Sequence, residues 1–213
     1  MMGLDLDRLT IRQGARTLVN LTAHVAPGDV LTIMGASGSG KSTLLSALIG
    51  TLAPAFDCSG RILLNGQDLT GMPTRTRRIG MLFQDDLLFA HLSVAGNLGF
   101  GLAARHRHHR AAHIDAALSE VGLAGFGPRD PATLSGGQRA RVALLRTLLA
   151  EPLTLLLDEP FSRLDAELRV QIRTLVFDRA RQQLLPVVLV THDLDDARAA
   201  GGAIVSPLGV VLG

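Results

Sequence analysis

Several things are scarce in this 213-residue chain. It has no Trp and no Tyr, and only 7 Phe. With 47% apolar residues it still buries a large core, but that core is aliphatic, and stacking of a base on Trp or Tyr is excluded. Cys58 is the single cysteine. No intramolecular disulfide can form, which points to a reducing compartment. No run of about 18 apolar residues occurs, so the sequence offers no membrane-spanning helix. Met1 to Leu9 carries Asp5 and Asp7 and lacks the cationic, apolar pattern of a secretion signal, so the expected location is cytosolic. Net charge is only +2, and the basic character comes from arginine, which is a weak argument for a nucleic-acid partner.

Lysine is the most telling scarcity. Lys41 is the only one among 21 basic residues. It closes Gly35-Ala36-Ser37-Gly38-Ser39-Gly40-Lys41-Ser42-Thr43, the G-x-x-x-x-G-K-[ST] pattern of a phosphate-binding loop. A compact ammonium on a flexible stem reaches between two phosphates, where a planar guanidinium fits poorly. Glycines let backbone N–H groups approach phosphate oxygens, the following helix N-terminus adds positive potential, and Ser42 supplies an oxygen for Mg²⁺. The context agrees. Val30 to Met34 reads as a short buried strand leading into the loop, and Lys41 to Ile49 as a helix.

Further along, Leu4 to Ile11 alternates as a half-buried strand, Pro27-Gly28-Asp29 reads as a turn, and Arg61 to Leu64 and Ile79 to Phe83 read as short strands. Val94 to about Val121 reads as mostly helical with a break near Arg105, and Gln138 to Ala150 as a helix with Val142, Leu145 and Leu149 on one face. Leu153 to Leu157 and Val187 to Thr191 are continuous apolar runs, as buried parallel strands are, and Ala166 to Gln183 reads as helix. Strands alternating with helices predict an α/β sheet.

Asp158-Glu159 follows the Leu155-Leu156-Leu157 run. Carboxylates at the C-terminal end of a buried strand are where such sheets present their chemistry. Asp158 suits an Mg²⁺ shell, and Glu159, one of four glutamates, suits orienting or deprotonating an attacking water. Taken alone, Asp-Glu-Pro reads equally as a solvated turn. Leu134-Ser135-Gly136-Gly137-Gln138 opens a helix, either as a second anion site of exposed N–H groups or as a plain N-cap by Ser135.

In this order, the phosphate loop, Leu134 to Gln138 and Asp158-Glu159-Pro160 resemble the ATP-binding subunit of an ABC transporter. The resemblance covers Leu4 to about Leu212. It implies a P-loop NTPase of α/β class with a mostly parallel core sheet, an N-terminal antiparallel β subdomain and an inserted α-helical subdomain. Residues 1–88 and 150–213 would form the nucleotide-binding core, and 89–149 the helical part carrying Leu134 to Gln138. Gln84 then matches the family's glutamine loop, with a share in Mg²⁺ binding. Ser162-Arg163-Leu164-Asp165 matches the loop facing a partner subunit, and His192 the histidine on the γ-phosphate. The implied mechanism sandwiches two ATP molecules between two copies head to tail, the Lys41 loop of one facing Ser135, Gly136, Gly137 and Gln138 of the other, with Asp165 at the seam. The catalytic set is Lys41, Gln84, Glu159 and His192, and the cofactors are ATP and Mg²⁺. The partners are a second ATPase subunit, integral-membrane permease subunits and, indirectly, a periplasmic solute-binding protein. The expected place is the cytoplasmic face of the inner membrane.

Met81 to Val94, with Phe83-Gln84 and Leu88-Phe89-Ala90-His91-Leu92-Ser93-Val94, and Asp158 to Asp165 resemble the importer pattern. Ala55-Phe56-Asp57-Cys58-Ser59-Gly60 and Asp130-Pro131-Ala132-Thr133-Leu134 resemble the YnjD-type ATP-binding proteins, and the ATPases of thiamine importers are next in likeness. A lipoprotein-release or export ATPase, or a soluble non-transport ABC ATPase, is the alternative. Three departures stand out. Thr10-Ile11-Arg12-Gln13-Gly14 lacks the aromatic on which the family stacks adenine, leaving Arg12 as a stacking candidate. Arg163 is bulky for a loop at the dimer seam and either pairs across the interface or faces water. With Gly213 soon after the His192 region, the C-terminal regulatory domain of many sugar and sulfate importers is expected to be absent. Arg105 to Arg110 with His113 reads as a solvated helix connection rather than a metal site, because its arginines repel a cation. Arg75, Arg77 and Arg78 read as a solvated turn.

Overall fold

The computed structural model describes residues 2–212. Its chain falls into two compact units. The first comprises the segments up to Met81, Leu153–Glu159 and from Phe177 onward. The second comprises Leu82–Pro152 and Pro160–Val176.

The first unit begins with β1 (Leu4–Gln13), β2 (Arg16–Val25), β3 (Val30–Met34), α1 (Lys41–Ile49), β4 (Asp57–Leu64) and β5 (Gln67–Asp68). It continues through β6 (Ile79–Leu82), β7 (Thr154–Asp158), β8 (Val187–Thr191), α6 (Leu194–Ala200) and β9 (Ile204–Val205). An antiparallel sheet has the order β2-β1-β4-β5, and a five-stranded sheet the order β6-β7-β8-β3-β9. The pairs β7/β8, β8/β3 and β3/β9 are parallel. This mixed α/β architecture is the one expected. The strands β3 and β8 are buried at every position, and their Val, Ile, Leu and Thr side chains suit a sheet covered on both faces. Leu6, Ile11, Ile33, Leu44, Leu48, Ile62, Leu156 and Val188 join one aliphatic cluster drawn from both sheets and α1.

The two central strands and α1 lie where the pattern of apolar residues puts them. The strand β2 has no counterpart in that pattern, because Asn20, Thr22 and His24 dilute it and the pairing with β1 is irregular between Ile11 and Arg12. The strand β4 starts four residues earlier than its apolar half, with exposed Asp57 to Gly60. Short β9 and α6 also carry too few residues for a periodic signal.

Arg77 corrects the reading of Arg75, Arg77 and Arg78 as a solvated turn. Arg75 and Arg78 are exposed, but Arg77 is only 5% exposed. Its guanidinium donates to Ala47 O at 2.8 Å, Leu48 O at 2.7 Å, Met72 O at 2.8 Å and Thr70 O at 3.1 Å. Two of these are last-turn carbonyls of α1, so a cation sits where the helix dipole is negative. Gly50, at φ 86°, ends the helix and lets the guanidinium in, since a Cβ there would lie 2.7 Å from Arg77 Cζ. Arg77→Ala leaves buried carbonyls short of donors and is expected to cost about 2–4 kcal/mol of stability, seen as a lowered Tm in calorimetry. An unchanged Tm would remove Arg77 from the support of α1.

The second unit is helical: α2 (Val94–Gly101), a 3₁₀ stretch over Ala104–His109, α3 (Arg110–Glu120) and α4 (Gly136–Leu148), with α5 (Ala166–Gln182) starting in it. The expected break near Arg105 is the 3₁₀ stretch. Val94, Leu98, Ile114, Leu118, Val142 and Leu145 form its core. Arg105 and His106 both engage Glu151, His106 Nε2 at 2.8 Å, and the His106 and His113 rings are 4.1 Å apart. Fully buried Asn97 accepts from Phe89 N at 2.7 Å and donates to the carbonyls of Phe89, Leu92 and Ser93, fastening the chain before α2.

Candidate functional site

The loop from Gly35 to Gly40 joins β3 to α1, and backbone geometry explains its glycines. Gly40 has φ 103°, and a Cβ there would lie 2.7 Å from Leu18 O. Neither fact leaves room for another residue. Gly35 is also tight, with a Cβ 2.7 Å from Ser39 Oγ. Lys41 is 8% exposed and its Nζ donates to Gly35 O at 2.7 Å and Ala36 O at 2.9 Å. The ammonium is thus drawn over its own loop. Ser39 Oγ is buried and has no hydrogen-bond partner among the described residues. A buried hydroxyl in a glycine loop beside an ammonium suits a phosphate oxygen.

A cleft of about 560 Å³ opens over this loop. Lys41, Ser42 and Thr43 line it together with Glu159 and His192. Glu159 follows β7 with φ +46°, a left-handed conformation rare for a side-chain-bearing residue, and its N–H donates to Val190 O at 2.9 Å. Sheet pairing therefore fixes the backbone that aims this carboxylate. His192 follows the parallel neighbour β8, and its Nδ1 stands 3.2 Å from Glu159 Oε2. Asp158 ends β7. Burial first, and then the Glu159 charge, hold its carboxyl above the ordinary value, while Lys41 pulls it down. An anion so disfavoured gains from a cation, and exposed Ser42 offers a hydroxyl.

Four more residues line the same cleft: Gln13, Arg16, Leu18 and Phe56. Of these the sequence points, for holding a base, only to the segment that contains Gln13. Arg12, its stacking candidate, lies opposite Asp57 in the β1/β4 pairing and is not among the lining residues. Sequence neighbours could not find Phe56, because only strand register brings it there.

The remaining site candidates belong to the second unit. Ser135 caps α4 in a reciprocal box: Gln138 N donates to Ser135 Oγ at 3.3 Å, and Ser135 N to Gln138 Oε1 at 2.9 Å. The N-cap reading of Ser135 is therefore realised in the fold. Gly137 is buried, and a Cβ there would press within 2.4 Å of the Leu168 side chain. Gly136 is exposed, with nothing nearer its Cβ position than Arg139 at 3.8 Å. Asp165 Oδ1 accepts from Leu168 N at 2.9 Å and starts α5.

Gln84 is exposed in the segment after β6, and arginines bind that segment. Arg146 donates to Leu87 O at 2.7 Å and Asp86 O at 3.2 Å, and Arg139 Nε stands 3.4 Å from Asp86 Oδ2. Arg163 is exposed and pairs with Asp85 of the same chain.

A strand, a glycine loop and a helix around one buried lysine, with carboxylates ending the parallel strand β7, define a phosphate-loop nucleotide-binding protein. The comparisons carry this further. Residues 18–162 match the family model described as ABC transporter. The uncharacterized ABC transporter ATP-binding protein YnjD of Escherichia coli is 53% identical over 186 residues, which is 87% of this chain and 86% of that one. The thiamine import ATP-binding protein ThiQ of Cereibacter sphaeroides is 47% identical over 197 residues, 92% of this chain and 84% of that one. The Fe(3+) ions import ATP-binding protein FbpC of Brucella melitensis is 42% identical over 190 residues, 88% of this chain but 53% of that longer one. The chain belongs to the ABC transporter family as an ATP-binding subunit, and it is an ATPase.

Proposed function

We propose that this subunit energises a bacterial importer, with ATP-driven closure of two copies coupled to membrane permease subunits. Import is named for two relatives, for thiamine and for Fe(3+) ions, and the chain matches most of the thiamine relative's length. The observation that carries the chemistry is the cleft joining the Lys41 loop to Glu159 and His192. No helix among the described residues is long and apolar enough to cross a membrane. Attachment would therefore run through the permease, by way of the segment after Gln84.

The site residues take these roles. The amides of Gly35 to Gly40 and the Lys41 ammonium hold the phosphates, with Ser42 and Thr43 at the helix start. Ser42 and Asp158 would hold Mg²⁺, which when bound withdraws charge from phosphate oxygens. The Glu159 carboxylate takes a proton from water as the water oxygen attacks the γ-phosphorus; the bond to the bridging oxygen breaks, leaving ADP and phosphate. His192 orients Glu159 and contacts the γ-phosphate. Because a raised Asp158 value brings protonation closer to neutrality, cation binding weakens as pH falls.

The second copy supplies Ser135, Gly136, Gly137 and Gln138, with Asp165 at the seam. Residues 1–88 and 150–213 then act as the nucleotide core, and 89–149 as the part presenting these groups. Open space at Gly136 supports this, since nothing within the chain requires a glycine there. Gly136→Asp places a carboxylate at the first turn of α4, where the dipole tolerates it. The expected result is an unchanged Tm with ATP hydrolysis lowered at least about a hundredfold by charge repulsion against the phosphates. Normal turnover would remove this face from the site. A gentle detergent pull-down from native membranes tests the assignment as a whole. Recovery of permease subunits supports import, and recovery of ribosomes or DNA in their place contradicts it.

A further inference from the structure

We infer that Phe56 forms the platform on which the nucleotide base is held. The inference rests on the phosphate-loop reading of the cleft and adds to it the residue that recognises the other end of the nucleotide.

The phosphate groups of a nucleotide are met by the Lys41 loop, but a base is a flat, largely apolar ring that needs a flat apolar wall. Phe56 is the one phenyl ring among the described residues lining this cleft. Leu18 also lines the cleft, and Gln13 and Arg16 are polar lining residues of the β1/β2 hairpin. Strand pairing accounts for the grouping. Gln13 and Arg16 are partners across the β1/β2 hairpin, and Arg12, one residue earlier, lies opposite Asp57 at the start of β4. Phe56 is the residue before Asp57, so the register sets it at the hairpin end.

Its backbone is held as well. Phe56 N donates to Ala53 O at 3.1 Å, closing the turn after α1, and the ring packs against the aliphatic core while staying partly exposed to the cleft. A ring supported from behind and open in front costs little to order when a base stacks on it. Leu18 also adjoins the phosphate loop, since its carbonyl oxygen would lie 2.7 Å from a Cβ at Gly40. Phosphate loop, Leu18 of β2 and the Phe56 ring thus line one cleft. The absence of an aromatic in Thr10 to Gly14 is answered by an aromatic from another strand end.

Stacking of a base on an aromatic side chain contributes enough that its removal weakens binding by about ten- to a hundredfold. The chain has no Trp and no Tyr, so Phe56→Trp creates a single fluorescent reporter at this position. The test compares ATP with inorganic tripolyphosphate, which carries the charge without the base. In the Phe56→Trp protein, ATP is expected to quench or shift the emission and tripolyphosphate to leave it nearly unchanged. Phe56→Ala is expected to lose about tenfold or more in ATP affinity by calorimetry while binding tripolyphosphate as the parent does. The inference is overturned if Phe56→Ala binds ATP like the parent, if it loses both ligands equally, or if tripolyphosphate alters the Trp emission as strongly as ATP. Lys41→Ala serves as the separate control. Undiminished tripolyphosphate binding by that variant would count against the phosphate loop itself, whatever Phe56 does.

Discussion

Glu159→Gln is expected to bind ATP like the parent chain and to hydrolyse it about 10²–10⁴-fold more slowly, the usual contribution of a positioned general base. The substitution is nearly isosteric. It keeps a side-chain oxygen that His192 Nδ1 can meet where it now stands, 3.2 Å from Glu159 Oε2. The backbone does not depend on the side chain, because the N–H of residue 159 donates to Val190 O at 2.9 Å as part of the sheet. The left-handed φ of +46° is therefore retained, and its strain, of order 1–3 kcal/mol, is borne by β7 and β8. The amide cannot accept the proton of an attacking water, so binding is spared and the chemical step is slowed. Single-turnover kinetics with nucleotide affinity measured in parallel checks this. Undiminished turnover would remove Glu159 from the role of base.

Lys41→Ala has the second largest expected effect, a loss of about a hundredfold in ATP affinity. Hydrogen bonds to charged groups are worth about 1.5–3 kcal/mol each, and an ammonium between two phosphates makes more than one. The buried side chain already sits over the carbonyls of Gly35 and Ala36. Its stem therefore needs only a small excursion to reach a phosphate in the loop. Lys41→Arg is expected to rescue little of the loss. A planar guanidinium does not fit an 8% exposed position built around a point charge. Calorimetric titration reads both variants, and parent-like affinity in Lys41→Ala would contradict the phosphate-loop reading.

Much of this molecule is legible in its sequence, and most of what is not shares a cause. The Lys41 loop, Asp158-Glu159 and the run ending at Thr191 are local: a few residues of fixed type at fixed spacing, next to strands that are apolar throughout. The structure gathers Lys41, Glu159 and His192 around one cleft. What stayed hidden depends on residues far apart in the chain. Arg77 is a surface-looking arginine until it meets the end of α1, and the partner of exposed Arg163 is not visible until Asp85 comes beside it. Phe56 looks like a loop phenylalanine until β4 is laid beside β1. The strand β2 was missed for a different reason, since its Asn, Thr and His positions blur the alternation. For Ser135 two uses were readable, and the capping box shows that one of them already operates within the chain.

The central claim is that one chain holds only part of a hydrolytic site. It is tested most directly by measuring ATP turnover per chain while the mass of the particles in the same sample is followed, over a wide range of protein concentration. The account predicts that monomers bind ATP yet turn it over poorly, and that turnover rises steeply with the fraction of chains in ATP-bound dimers. Full turnover by chains that remain monomeric with ATP bound would contradict it.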